Sequence, residues 1–121
     1  MFRFAVGIAL GAAVLCGPAE ARDCIVPAYY ALDNQTIDTN IKVKANKFCR
    51  IAMSRGIGGL RDPRITKQAR FGAAAINGFA VVYRPKSGFV GTDSFTYARE
   101  NWDRWGNKAV RTVNVTVEVT P

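Results

Sequence analysis

Thr112-Val113-Asn114-Val115-Thr116-Val117-Glu118-Val119-Thr120 decides the fold. Apolar and polar residues alternate strictly, so odd positions line one face of a strand and even positions the other. Val113, Val115, Val117 and Val119 on one side, against Asn114, Thr116 and Glu118 on the other, describe a strand with one buried and one wet face. A slip of one residue would expose all four valines, so the register is well specified. Val110 falls on the opposite parity, which predicts a bulge near Arg111-Thr112.

Working outward, Ser94-Phe95-Thr96-Tyr97 alternates in the same way, with Phe95 and Tyr97 on one face. Strands are expected at 25–30, 41–45, 48–53, 65–70, 73–76, 79–84, 94–99 and 108–119, separated by turn chemistry at close intervals. Asn77-Gly78 marks a two-residue hairpin turn. Gly106-Asn107 closes a longer connection, and residues 55–60, with three glycines, are expected to form a surface loop. The one helix-compatible run, near 27–32, is weakened by Pro27 and by two β-forming tyrosines. The pattern predicts an all-β, antiparallel β-sandwich.

The first 21 residues stand apart from this pattern. Arg3 precedes an apolar run from Phe4 to Leu15, Gly17 and Pro18 break it, and Ala19-Glu20-Ala21 offers small residues before a cut at Arg22. That is the layout of a cleaved secretory signal, and the apolar run is too short for a transmembrane span. Cys16 sits behind Leu15, where a lipoprotein signal carries a small residue, so it is expected to leave with the signal. Residues 22–121 then form a single domain of about 100 residues, enough for one core. Cys24 and Cys49 remain, and in an oxidising compartment they are expected to form a disulfide worth roughly 3–4 kcal/mol.

The run Tyr83-Arg84-Pro85-Lys86-Ser87-Gly88-Phe89-Val90-Gly91-Thr92-Asp93-Ser94-Phe95-Thr96-Tyr97 resembles the Y-x-P-x-x-G-F-x-G-x-D-S-F-x-Y signature of bacterial Ig-like and cadherin-like repeats of secreted and surface proteins. The likeness extends upstream through Gln68, Gly72 and Ile76-Asn77-Gly78, and downstream to the valine strand. It implies an Ig-like sandwich of about seven to eight strands. Gly88 and Gly91 would turn the chain between sheets, Phe89 would plug the end of the core, and Asp93 would bind loop amides. Tyr83, Pro85, Phe95 and Tyr97 complete the structural motif, which says little about activity. The acidic calcium-binding runs common between such repeats are lacking, so no metal or other cofactor is expected.

Composition narrows the function. The chain has 121 residues, no histidine and a formal charge of +8. Histidine triads and histidine-ligated metals are excluded, and a carboxylate mechanism would have to use Glu100 and Asp103 across an exposed turn, so no enzymatic activity is expected. Trp102 and Trp105, with Arg104 between them, fall in an expected loop and form a candidate ligand-binding tip. Folding back to cap the sandwich is the alternative. Nine Lys and Arg residues lie between 42 and 70 against Asp62 alone. Lys42, Lys44, Lys47, Arg64, Lys67 and Arg70 are therefore a candidate basic patch for polyanions, with Lys67 expected one strand beyond Lys42 and Lys44. The alternative is a solvated face that keeps the protein soluble. A periplasmic or secreted monomer is expected, binding a cell-envelope glycan, polyanion or protein partner, without specific recognition of nucleic acid. The competing expectation is an assembly subunit that pairs through a sheet edge.

Overall fold

The computed structural model describes residues 22–53 and 59–121. The expected export signal at 1–21, and residues 55–58 of the expected glycine-rich loop, lie outside the described residues. The strands are β1 (Cys24–Ile25), β2 (Thr36–Lys44), β3 (Cys49–Ala52), β4 (Arg61–Lys67), β5 (Gly72–Asn77), β6 (Ala80–Pro85), β7 (Gly91–Trp102) and β8 (Lys108–Thr120). They form a five-stranded sheet in the order β1-β2-β8-β7-β4 and a three-stranded sheet in the order β3-β6-β5. The fold is the all-β sandwich that the alternation predicts. Among the described strands one neighbouring pair, β2 and β8, runs parallel, and the others are antiparallel.

Burial follows side-chain parity. Val113, Val115, Val117 and Val119 of β8 are buried, opposite Phe95 and Tyr97 of β7 and beside Ile41 and Val43 of β2. Ile51, Val81 and Tyr83 supply the facing wall from the smaller sheet. Tyr83 stacks on Phe95 with ring centroids 5.7 Å apart, joining the two layers through the motif.

The bulge expected near Arg111-Thr112 is absent. β7 and β8 pair without a shift from Gly91 opposite Val119 to Trp102 opposite Lys108. The strand keeps its parity, so Arg111 takes the inward position and Val110 lies half-buried on the other face. Arg111 is tolerated there because Asp33 and Tyr30 accept its hydrogen bonds, at 2.8–3.0 Å and 3.2 Å.

Other boundaries shift for local reasons. Of the strand expected at 25–30, Ile25 alone pairs, together with Cys24 before it, because Pro27 supplies no backbone N–H to continue the ladder. β2 begins at Thr36 rather than at 41, with Ile37 and Thr39 turned inward between outward polar residues. β4 starts at Arg61 and contains Pro63, which is accommodated at a sheet edge with register shifts on both sides of Arg64-Ile65. The β5–β6 hairpin forms, yet Asn77 pairs with Ala80, so its loop is Gly78-Phe79 rather than Asn77-Gly78. Positive φ falls on Gly78 and on neither neighbour, the pattern of a II′ turn.

The motif from Tyr83 to Tyr97 makes the crossing between sheets. Gly88 and Gly91 have φ of +79° and +145°, and Phe89 stacks on Phe71 at 4.8 Å over the end of the core. Pro85 ends β6 in a buried position. Asp93 is 5% exposed and accepts four hydrogen bonds: from the amides of Arg70 (3.0 Å), Phe71 (3.1 Å) and Ser94 (2.8 Å), and from the Tyr83 hydroxyl (2.7 Å). Among the described residues no helix is long and apolar enough to cross a membrane.

Cys24 and Cys49 form the expected disulfide, tying β1 at the edge of one sheet to β3 at the edge of the other, with Cα atoms 5.2 Å apart. The closed loop spans a sequence separation of 25 residues. Reduction is expected to lower the unfolding free energy by about 3 kcal/mol. Urea midpoints with and without reductant measure this. A loss below about 1 kcal/mol would mean that β1, with its two paired residues, already holds the edge without the bond.

Candidate functional site

β7 runs three residues past its expected end, to Trp102. Trp102 is therefore a strand residue on the outer face of the five-stranded sheet, and the tip loop is residues 103–107. Asp103 organises that loop. Its Oδ1 accepts the amides of Trp105 (2.9 Å) and Asn107 (2.8 Å), while its own amide donates to the Asn107 carbonyl (2.8 Å). Gly106, at φ +82°, donates to the Asp103 carbonyl and closes the turn. The short polar side chain of Asp103 thus fixes the backbone and leaves Trp105 at the apex.

Neither indole caps the sandwich. Trp105 is 75% exposed and Trp102 40%. Each has a guanidinium over its ring: Arg104 lies 5.3 Å from the Trp105 centroid, and Arg61 of β4 lies 5.2 Å from that of Trp102. Of the predicted trio, Arg104 and Trp105 are brought together, and Trp102 is served by Arg61, which spacing in the chain alone did not single out. No local pattern in the sequence marks Arg61: the pairing of β4 with β7 sets it opposite Glu100, two residues before Trp102.

The basic residues are dispersed by the strand order. Lys42 and Lys44 lie on β2, whereas Arg64 and Lys67 lie on β4 at the far edge of the same sheet. Two strands intervene, so Lys67 is three strand spacings from Lys42, at least about 14 Å across the sheet, not one strand beyond it. Lys47 is in the turn after β2, and Arg70 follows β4, with its guanidinium 5.4 Å from the Phe71 ring. Carboxylates are interspersed. Arg64 Nη1 meets Asp62 Oδ2 and Glu100 Oε2, both at 3.1 Å, and Lys42 Nζ lies 4.0 Å from Glu118. Lys108 approaches Glu100 at 3.8 Å. The pairs made by Lys42 and Asp62 are exposed and add little stability, but with Glu100 they divide the positive field into separate patches.

Glu100 and Asp103 serve structure: the first faces Arg64 and Lys108, and the second holds loop amides. Sequence reasoning missed a different group. Arg99 and Arg111 stand directly opposite one another on the inner face of β7 and β8, 7% and 8% exposed. Their parity with Phe95, Tyr97 and Val113 was the available signal, and the assumed bulge concealed it. Asp33, bonded by Asn101 and by Arg111, is held below the ordinary carboxylate pKa by those two hydrogen bonds. Burial and the facing Arg111 charge lower the pKa of Arg99. Burial also works against the Arg111 charge, but its bonds to Asp33 and Tyr30 outweigh this and raise its pKa. Compared with protein-family models and with curated proteins, the chain matches none.

Proposed function

We propose that this chain is a small exported, non-enzymatic Ig-like domain that binds a macromolecule at the bacterial cell envelope or surface, a glycan, a polyanion or a protein. The observation that carries the reading is the tip: a loop whose backbone is clamped by Asp103 holds Trp105 at its apex, with Arg104 against the ring. An indole left open to solvent beside a guanidinium offers an apolar face and a directional charge to a sugar ring or a protein side chain. Trp102 with Arg61 extends this chemistry onto the sheet face. The disulfide suits a periplasmic or secreted location, and the likeness to Ig-like and cadherin-like repeats supports a bacterial surface context. The dispersed basic residues would contribute through long-range attraction.

Cosedimentation of the protein with isolated envelope fractions across a salt series tests the reading, beside a Trp102→Ala/Trp105→Ala variant. Binding is expected to survive moderate salt and to fall at least tenfold in the variant. Binding abolished by salt alone, equally in both proteins, would remove the tip and leave a charge effect. No binding at low salt would overturn the proposal.

A second reading, assembly through a sheet edge, is favoured by one observation. β1 pairs with Lys42 and Val43 alone, so on that side Thr36–Ile41 of β2 lacks a strand partner among the described residues. An added strand could extend the sheet there. Self-association or capture of a partner strand, with the tip variant behaving as wild type, would favour it.

A further inference from the structure

The two outer faces of the sandwich are built from different residues. On the five-stranded sheet the outward positions are polar, among them Asp38 and Asn40 on β2, Thr96 on β7, and Asn114, Thr116 and Glu118 on β8. That is an ordinary solvated face. On the three-stranded sheet burial also alternates, but the outward positions of β3 and β5 include Ala52, Ala73 and Ala75, and β6 turns Val82 outward. Alanine is a poor strand former, and on a face left to water it does less than threonine would. Its low profile lets a second surface approach the sheet closely.

Charge is divided between the layers in the sequence itself. Residues 39–61 and 63–92 contain no Asp or Glu, and β3, β5 and β6 all fall within those spans. Two arginines stand on this carboxylate-free face. Arg50 of β3 pairs with Val82 of β6, so Arg84, two residues further along β6, is its diagonal neighbour. Both border an open groove of about 660 Å³ whose lining includes Ala75 and Val82 and reaches Asn77 and Gly78. The Arg84 guanidinium lies over the Phe48 ring, 4.6 Å from its centroid, which restrains its direction before any partner arrives. Among the described residues neither Arg50 nor Arg84 forms an ion pair, in contrast to Lys42 and Arg64 on the larger sheet. Like charges on adjacent strands repel, and an acidic partner would offset that repulsion.

We infer that this face docks an acidic segment of a partner protein, with small apolar side chains against Ala75 and Val82 and carboxylates on Arg50 and Arg84. Guanidinium forks match carboxylates in paired hydrogen bonds. A second copy placed by two-fold symmetry would set the same arginines against each other. A sugar finds no open aromatic platform, since Arg84 covers the Phe48 ring. A bilayer surface favours projecting apolar side chains, and this floor is flat and small. The face is also separate from the tip, for neither Trp102 nor Trp105 lines the groove, so the two readings fail independently.

The test is an NMR titration of the intact protein at fixed ionic strength, following backbone amides and the arginine and indole Nε–H signals. The probes are a capped octapeptide of alternating Glu and Ala, its neutral counterpart of alternating Gln and Ala, and hexagalacturonate. The acidic peptide is expected to give saturable shifts at residues 48–52, 75–78 and 82–84, with the neutral peptide at least about tenfold weaker and the indole signals unmoved. Arg50→Gln/Arg84→Gln, at two exposed positions, should lower affinity about tenfold or more, whereas Lys42→Gln/Lys67→Gln removes equal charge and should stay within about twofold. Ala75→Lys separates docking from bare attraction: it adds a positive charge but fills the floor, and should weaken binding. Tighter binding by Ala75→Lys, equal losses in the two double variants, or shifts scattered over the basic surface would each overturn the proposal. So would the absence of shifts with the acidic peptide, or hexagalacturonate saturating the same signals at lower concentration.

Discussion

Asp93→Ala is expected to lower the unfolding free energy by about 4 kcal/mol, a loss in the class of broken buried polar networks. The carboxylate is buried and accepts from three amides and the Tyr83 hydroxyl. Removing it orphans all four donors at once. The Tyr83 hydroxyl sits in the core, where an unpaired polar group costs about 1–3 kcal/mol by itself. The amides of Arg70 and Phe71 belong to the turn between β4 and β5, which crosses from one sheet to the other, so their release loosens the crossing as well. Asp93→Asn keeps the shape and one acceptor oxygen, and should cost about half as much. Tyr83→Phe removes one donor and leaves the carboxylate its three amides, for a loss of about 1–2 kcal/mol. Urea unfolding of the three variants gives the ranking. If Asp93→Ala lost less than about 1.5 kcal/mol, water would be replacing the carboxylate, and the motif would owe its stability to Phe89, Phe95 and the glycines instead.

This network also shows what could be read from the chain. That Asp93 binds loop amides was legible, because a short carboxylate beside Gly91 at a strand start has few other uses; that it also receives Tyr83 was not, since this needs the face-to-face packing of β6 on β7. The buried face of β8 was legible from its valines, and the disulfide from two cysteines left in a chain with an export-like leader. Arg111 was misread for a physical reason. Hydrophobic parity treats a buried arginine as an error, and a bulge is the usual way to remove it. The compensation comes from Asp33 and Tyr30, 78 and 81 residues away in sequence, which no local pattern displays. The expected place of Lys67, one strand beyond Lys42 and Lys44, failed in the same way, for charge counts along the chain carry no strand order. With β8 and β7 inserted between β2 and β4, basic residues close in sequence came to lie three strand spacings apart in one sheet. The tip was half legible. Two tryptophans near a turn signalled exposure, but continuation of β7 to Trp102 gave that ring a partner on β4 instead of in the loop.

The fold should also unfold sharply in alkali, between about pH 11 and 12, because its tyrosines are held protonated. Burial raises the pKa of Tyr83 and Tyr97 well above the ordinary phenol value, and each is pushed further by its hydrogen-bond partner, Asp93 for the first and Tyr29 for the second. Burial raises Tyr29 as well. The sign follows from proton counting. Below about pH 10 both folded and unfolded chains keep these protons, and the stability is intact. Above it the unfolded chain releases them while the folded chain does not, so each fully buried tyrosine subtracts about 1.4 kcal/mol per pH unit until its folded pKa is reached. Tyr83 and Tyr97 are buried and count nearly in full, whereas Tyr29 sits closer to solvent and counts less. Over two pH units the loss reaches about 5 kcal/mol, comparable with the whole stability of a small domain. Tyrosinate absorbance at 295 nm and circular dichroism, followed in one titration, should therefore change together for these groups. Tyr97→Phe removes the proton that the unfolded chain would release there, and should move the alkaline midpoint upward relative to its own stability at pH 7. Absorbance rising fully before the circular dichroism changes would mean that the phenols ionise inside the folded protein, and the two hydroxyl networks would then be open to water.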